Sequence, residues 1–234
     1  GMKLTGVALA AGRGVRLAPW TDTTPKPLLP VGSTTLLDRA LHWLVAAGCE
    51  ELIVNARHLS AQFPPHLATH ASRIPLTLSL EHGDLETAGG LRQMGPLLGG
   101  SDVLLHNGDA CHDLPPEGFM AQLEPLIQQG FQSVLAVVPV DPDHADFALV
   151  GTRLHPKGAA GRPVRFMGVA WLAHPMLEQI PAVGSLGPWY HRRAAAVSIA
   201  AGLGGVLHEG FFVDAGTPAD LERARQMMTP SESP

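Results

Sequence analysis

Short apolar runs alternate with segments of helical spacing from residue 3 to residue 140, and this rhythm limits the chain to a narrow set of folds. Residues 3–10 are apolar and run straight into Gly12 and Gly14, which predicts a buried first strand emptying into a loop. Leu36, Leu37, Ala40, Leu41, Leu44 and Val45 recur at helical spacing over residues 35–47, with Gly48 as the stop. Further strands are expected at 51–55, 76–80, 102–105 and 133–140, separated by helices at 59–71, 87–98 and 116–129. Strands joined through helices cross over and lie side by side in one direction, so the expected core is an α/β, mainly parallel sheet covered by helices. After residue 140 the rhythm loosens. Strands are expected at 147–152, 165–171 and 206–212, with helices at 190–201 and 218–228.

The 234 residues suffice for one large domain, expected over 2–228, with 229–234 as a disordered tail. Gly1 ahead of Met2 reads as a residual tag residue and stays out of the fold reading. No apolar run approaches the about eighteen residues of a membrane span. A formal net charge of -5 without a Lys/Arg cluster argues against a nucleic-acid backbone as partner, which needs many cations together. Cys49 and Cys111 are the only cysteines, and nothing at the start resembles a secretory leader, so free thiols in a reducing cytoplasm are expected. The expected protein is cytoplasmic, a monomer or small homo-oligomer, and binds neither nucleic acid nor membrane.

The first strand is followed at once by Leu9-Ala10-Ala11-Gly12-Arg13-Gly14-Val15-Arg16-Leu17. Glycines let a backbone approach a phosphate chain, and Arg16 offers a fork of donors to phosphate oxygens. The loop lacks the Gly-Lys-Ser/Thr ending of a P-loop and a third glycine at dinucleotide spacing, which argues against both of those sites. In Thr24-Pro25-Lys26-Pro27 two prolines fix the backbone around Lys26 and present its ammonium at one place. Asp109 closes an apolar run in Asn107-Gly108-Asp109, and Asp214 sits in Phe211-Phe212-Val213-Asp214-Ala215-Gly216-Thr217-Pro218. Taken singly, such aspartates serve as caps and turn residues more often than as ligands.

As an ordered set these segments resemble the sugar-phosphate nucleotidyltransferase family, whose hallmark is Leu-Ala-Ala-Gly-x-Gly-x-Arg followed by Pro-Lys-Pro-Leu. Glu81 with Leu85-Glu86-Thr87-Ala88-Gly89-Gly90 is similar to the family's Gly-rich turn, with Glu86 in place of its first glycine. Asp109 and Asp214 match its two metal-holding aspartates. The resemblance implies a three-layer α/β/α, Rossmann-like fold with a mainly parallel mixed sheet, the nucleotide-diphospho-sugar transferase fold. It also implies an enzyme that joins a nucleoside triphosphate to a sugar 1-phosphate and releases pyrophosphate. Mg²⁺ would be held by Asp109 and Asp214, with Arg16 on the departing pyrophosphate and Lys26 on the α-phosphate or sugar phosphate. Leu9, Ala10, Ala11, Gly12, Gly14, Glu81, Thr87, Ala88, Gly89 and Asn107 would hold the nucleotide, and Glu86 and Gly168 the sugar. A sugar 1-phosphate is already an oxyanion, so such a site aligns and neutralises charge and needs no histidine base.

The sugar side departs from the family. Its Glu-Lys-Pro segment is missing, and Pro156-Lys157-Gly158 to Arg162-Pro163 stands instead. Leu85-Glu86-Thr87 and Asp146-Phe147-Ala148-Leu149-Val150 are similar to members that take UTP and an N-acylated sugar, with GTP and mannose 1-phosphate as the alternative. Arg165, Arg192 and Arg193 are candidate partners for a sugar carboxylate, and residues 189–192 are candidates for the pocket wall. A non-catalytic nucleotide-sugar sensor on the same fold is the rival class. His66 and His70 share a helical i, i+4 spacing but lack the glutamate and third ligand of a zinc site. His112-Asp113 admits a ligand contact or turn capping, and Cys111 is expected to be a buried thiol.

Overall fold

A computed structural model of the chain describes residues 3–69 and 74–228. The expected tail at 229–234 and the end of the helix expected at 59–71 lie outside the described residues, as does His70. The strands of the first half are β1 (Leu4–Leu9), β2 (Pro30–Val31), β3 (Thr34–Thr35), β4 (Glu51–Ala56), β5 (Leu76–Leu80), β6 (Asp102–Asn107) and β7 (Ala110–His112). Those of the second half are β8 (Ser133–Pro139), β9 (Phe147–Val150), β10 (Arg153–Pro156), β11 (Arg162–Leu172), β12 (Gly204–Leu207) and β13 (Phe212–Asp214). The helices are α1 (Trp20–Thr23), α2 (Leu36–Ala46), α3 (Phe63–Leu67), α4 (Glu86–Gln93), α5 (Gly95–Leu98), α6 (Pro116–Gln129), α7 (Leu186–Ala194) and α8 (Pro218–Met228).

One sheet of nine strands, in the order β5-β4-β1-β6-β11-β8-β12-β10-β9, carries the fold. β1 lies parallel between β4 and β6, β5 is parallel to β4, and β12 is parallel to β8. β11 and β10 run against their neighbours, so the sheet is mixed although most strands share one direction. Side chains alternate between the faces of each strand, which separates the helices into two layers. On one face Trp43 of α2 lies 5.6 Å from His106 of β6 and 5.8 Å from Phe119 of α6. On the other, Thr87 of α4 and Tyr190 of α7 line a small cavity together with Leu105 and Asn107, the residues of β6 flanking His106. Val7, Val54, Leu104 and Val134 are fully buried between these layers.

Where the boundaries differ from those expected, a named contact accounts for it. α2 begins at a capping box in which the Thr35 hydroxyl accepts the Asp38 N–H at 3.1 Å and the Asp38 carboxylate accepts the Thr35 N–H. The helix expected at 87–98 is split into α4 and α5 at Gly95-Pro96, where proline supplies no N–H. The one expected at 59–71 is a single turn at Ser60–Gln62 followed by α3, whose Pro64 and Pro65 also lack amides. The helix expected at 190–201 is α7, four residues earlier at its start. Thr87 Oγ1 accepts the Leu186 N–H at 2.8 Å, and Arg153 Nη2 takes the carbonyls of Ala196, Val197 and Ser198 at 2.6, 3.0 and 3.3 Å, drawing the chain out of the helix. The strand expected at 206–212 becomes β12 and β13, parted where Asp113 Oδ1 accepts the Phe211 N–H at 3.0 Å and meets His208 Nε2 at 2.6 Å.

Candidate active site

A cavity of about 380 Å³ opens over the carboxyl ends of β1, β4 and β6, the position where parallel strands and their loops present ligand-binding groups. The glycine loop forms one wall. Asn55 pins its start by accepting the Ala10 N–H on Oδ1 at 2.5 Å, and its Nδ2 donates to Glu81 Oε2 at 3.3 Å. Burial pushes the Glu81 carboxyl up, against the opposing pull of Arg57 and the Asn55 bond. At the far end of the loop Gly14 has φ +66, and a Cβ there would lie 3.0 Å from Cβ of Lys26, so glycine lets the loop pack onto the lysine. Thr21 Oγ1 donates to the Gly14 carbonyl at 2.7 Å. His58 Nε2 lies 2.5 Å from the Thr21 carbonyl, which can only accept, so Nδ1 is the acceptor for Arg13 Nη1 at 2.9 Å. Arg13 and Arg57 therefore join Lys26 as cations lining the cavity.

Asp109 and Asp214, 105 positions apart, meet through a two-stranded ribbon in which β13 runs antiparallel to β7 and Asp214 is in register with Ala110. The Ala215 N–H donates to the Asp109 carbonyl at 3.0 Å. Lys26 Nζ donates to Asp109 Oδ2 at 2.6 Å. Burial acts to raise the Asp109 carboxyl, but the Lys26 ammonium and hydrogen bonds from Lys26 and Asp214 hold it below its usual range. Asp214 takes the opposite course: burial and the neighbouring Asp109 push it up to about 6. Its Oδ1 is buried without a hydrogen-bond partner, and Arg165 Nη2 approaches Oδ2 at 3.7 Å. Two carboxylates, one with an unpartnered buried oxygen, are a donor set that fits a hard divalent cation. Among the described residues no group of three or more His, Cys, Asp or Glu gathers to hold a metal, so further ligands would come from phosphate oxygens.

The other expected site residues divide clearly. Leu9, Ala10, Ala11, Gly12, Gly14, Lys26, Glu81, Glu86, Thr87, Asn107 and Asp109 line the cavity. Arg16 does not; its guanidinium lies against Gly216, where a Cβ would be 2.8 Å from Nη2, on the Asp214 side. Ala88 and Gly89 are buried away from the cavity because their N–H groups donate to the Gly184 carbonyl at 2.9 and 3.4 Å. Gly168 has φ +86 at an irregularity in the pairing of β11 with β8, and a Cβ there would lie 2.8 Å from the Ala110 Cβ, so it supports the β6–β7 turn from behind. Sequence reasoning passed over Asn55, Arg57, Asp84 and Ser185. Asn55 and Arg57 carried a usable signal, since they end an apolar run as Asn107 and Asp109 do.

Other candidates have structural employment. Arg193 is buried, with Nε on Ser133 Oγ at 2.5 Å and its guanidinium over Trp189. His66 Nε2 pairs with Asp38 Oδ1 at 2.7 Å. Burial pushes the Cys111 thiol up to about 11 and that of Cys49 up to about 12. Behind Asp109, the Leu114 N–H donates to His112 Nδ1 at 3.1 Å, which makes His112 Nε2 the donor to His106 Nε2 at 2.9 Å and His106 Nδ1 the donor to the Asn107 carbonyl at 2.7 Å. Burial holds both rings below the usual histidine range, His106 down to about 4.

A glycine loop, presented cations and a carboxylate pair at the carboxyl edge of parallel strands are the parts of a nucleotide-handling transferase. The sequence matches the Nucleotidyl transferase family over residues 5–154, and the chain belongs to that family, among its sugar-phosphate members. It is similar to an N-acetylmuramate alpha-1-phosphate uridylyltransferase from Neisseria meningitidis serogroup B, with 34% identity across 96% of this chain and 98% of that protein. A mannose-1-phosphate guanyltransferase from Hypocrea jecorina is 28% identical over 70% of this chain and 46% of its own length. The fold is shared with UDP-glucose pyrophosphorylase from Acinetobacter baumanii, at a TM-score of 0.77 and 15% identity over 97% and 93% of the two chains. HddC from Yersinia pseudotuberculosis matches with a TM-score of 0.75 and 19% identity over 96% and 99%. Among the described residues no helix is long and apolar enough to cross a membrane.

Proposed function

We propose that this chain transfers the uridylyl group of UTP to N-acetylmuramate 1-phosphate, with Mg²⁺ held by Asp109 and Asp214. The observation that carries the chemistry is the meeting of Lys26, Asp109 and Asp214, the first two lining the cavity and the third beside Asp109 with Oδ1 buried and unpartnered. The similarity to the Neisseria meningitidis protein along nearly its whole length supports the choice of nucleotide and sugar. An oxygen of the sugar phosphate attacks the α-phosphorus, a new P–O bond forms, and the bond to the pyrophosphate breaks. No proton need be removed from the nucleophile, so the protein's work is alignment and charge.

Asn55 fixes the glycine loop against which the nucleotide lies, and Glu81, oriented by the same Asn55, offers acceptor oxygens toward the base and ribose. Arg13, held by His58, and Arg57 bring positive charge to the triphosphate. Lys26, fixed between prolines, offsets charge at the reacting phosphates, and Arg16 serves the departing pyrophosphate. Mg²⁺, when bound, would neutralise phosphate oxygens and orient the triphosphate. Ala88 and Gly89, whose amides are engaged by Gly184, act on the nucleotide through the placement of Thr87. Glu86 at the cavity rim and Gly168 behind the β6–β7 turn are assigned to the sugar side.

A pyrophosphate-release assay across UTP and GTP, each with N-acetylmuramate, N-acetylglucosamine and mannose 1-phosphates, tests the reading. The highest kcat/KM is expected for UTP with N-acetylmuramate 1-phosphate. A preference for GTP with mannose 1-phosphate would establish the second reading, which the Hypocrea jecorina similarity favours. Nucleotide-sugar binding without pyrophosphate release would instead establish a sensor.

A further inference from the structure

Beside the main cavity lies a smaller one of about 170 Å³, reached past Thr87 and Asn107, which line both. Its other walls are almost wholly apolar: Leu105 from β6, Phe166 from β11, and Leu186 and the Tyr190 side chain from α7. Asn107 stands two residues before Asp109, so this annex adjoins the part of the main cavity that Asp109 lines. Tyr190 is 3% exposed, and its hydroxyl is buried with no hydrogen-bond partner. A buried phenol ordinarily finds one. Its ring is held by an edge-on contact with Phe166 at 5.5 Å and by Trp189 at 5.6 Å, while the start of its helix is tied to Thr87. The hydroxyl is thus a fixed, unpartnered polar group on a residue that lines an otherwise apolar wall.

We propose that the annex receives the acyl-bearing substituent of the sugar, its methyl group against the apolar wall and its acceptor oxygen on the Tyr190 hydroxyl. The proposal rests on the sugar 1-phosphate reading and narrows it. An unsubstituted hexose brings only hydroxyls, each of which would lose water against Leu105, Phe166 and Leu186 for a single partner. An N-acetyl group or a lactyl ether brings a methyl and an acceptor together. The two sources share that chemistry and differ in charge.

Tyr190→Phe tests this, because it removes the hydroxyl and keeps the packed ring. With UTP, kcat/KM is measured for N-acetylmuramate, N-acetylglucosamine and glucose 1-phosphates. The ratio of acylated to plain sugar is expected to fall about tenfold, the worth of one neutral hydrogen bond. Loss with both acylated sugars assigns the contact to the amide carbonyl; loss with N-acetylmuramate alone assigns it to the lactyl carboxylate. The melting temperature of the ligand-free variant is expected to stay level or rise, since no intramolecular bond is lost. An unmoved ratio, or an equal loss for all three sugars with a lowered melting temperature, overturns the proposal in favour of a structural hydroxyl. If the wild type turns over no sugar 1-phosphate, the transferase reading fails by itself, and calorimetric binding of UDP-N-acetylglucosamine against UDP-glucose still decides the annex. Equal affinities in the wild type, no binding of either, or a ratio unmoved in Tyr190→Phe would then overturn it.

Discussion

In the larger cavity the polar side chains are tied to the protein before any ligand arrives: Asn55 to Ala10 and Glu81, Lys26 to Asp109, His58 to Thr21 and Arg13. In the smaller cavity Tyr190 has no partner for its hydroxyl, and the strand that supplies Phe166 is irregular in its pairing. The first arrangement suits a chemistry common to every substrate pair, because phosphate charge is met by groups that need not reorganise during reaction. The second suits discrimination, because a wrong substituent leaves a buried donor unpaired and costs affinity. Rigidity and selectivity are thus separated by two shared residues, Thr87 and Asn107.

The largest effect should fall on the carboxylate pair. Asp109→Asn and Asp214→Asn are each expected to lower kcat on the order of a thousandfold for every sugar alike, since they remove charge placement and leave the annex intact. Circular dichroism should report an unchanged fold, and a chelator should silence the wild type. Near wild-type turnover in either variant, or full activity with chelator present, would break the assignment of the larger cavity to the common chemistry.

Next comes the support beneath that cavity. An unfolded histidine takes up a proton near 6.5, whereas buried His106 does so only near 4, so between those values the unfolded chain binds more protons than the folded one. His106 therefore contributes stability that is present above pH 6.5 and lost as pH falls toward 4, by about 3 kcal/mol across the window. Burial is the largest influence; the bond to the Asn107 carbonyl and the Asp109 charge oppose it, Arg39 adds to it, and His112 faces the ring through Nε2. Denaturant midpoints from pH 8 to 4 should show the fall, and His106→Phe should reduce it, leaving the share of His112, which burial also holds below the usual range. An undiminished slope would place the acid sensitivity elsewhere.

Slightly smaller is the effect of Arg16→Ala, expected to lower kcat by about a hundredfold while leaving the nucleotide KM nearly in place. Arg13→Ala should do the reverse, raising the UTP KM by about tenfold, because its guanidinium lines the cavity and is held there by His58. An Arg16 variant altered only in KM would show that this residue binds nucleotide as Arg13 does. The contrast between leaving-group and binding cations would then vanish.

These residues were legible in the sequence to very different degrees. Lys26 stands between prolines, Arg16 follows a glycine loop, and Asp109 and Asp214 close apolar runs; each is flagged by neighbours that constrain the backbone. Asn55 and Arg57 have no such flag beyond their place at the end of a strand, and Ser185 joins the site only because α7 folds back onto Thr87. The strand–helix alternation made the parallel half readable, since each element buries its own periodic face. The antiparallel half resisted: β10 is four residues long, and the end of α7 is set by Arg153, a residue more than forty positions away. Contacts of that range leave no local pattern to read.

The smallest expected effect lies where the two cavities join. Glu86 takes φ +56, a left-handed conformation that costs a side-chain-bearing residue about 1–2 kcal/mol, and it replaces the glycine found in the family motif it resembles. Glycine would remove that strain but lose more freedom on folding, so Glu86→Gly is expected to stabilise the protein by about 0.5–1 kcal/mol. Strain retained at the rim of a ligand cavity points to work done by the side chain. Glu86 is exposed and lines the larger cavity one residue before Thr87, and so is placed to orient a sugar at the entrance to the annex. If it does, Glu86→Gly should raise the melting temperature and weaken kcat/KM for the sugar 1-phosphate severalfold, while the UTP KM stays level. Glu86→Gln, which keeps the length and the strain, should recover much of the loss if a hydrogen bond rather than charge is used. A glycine variant that is more stable and equally active would show that the junction's specificity resides in Thr87, Asn107 and Tyr190 alone.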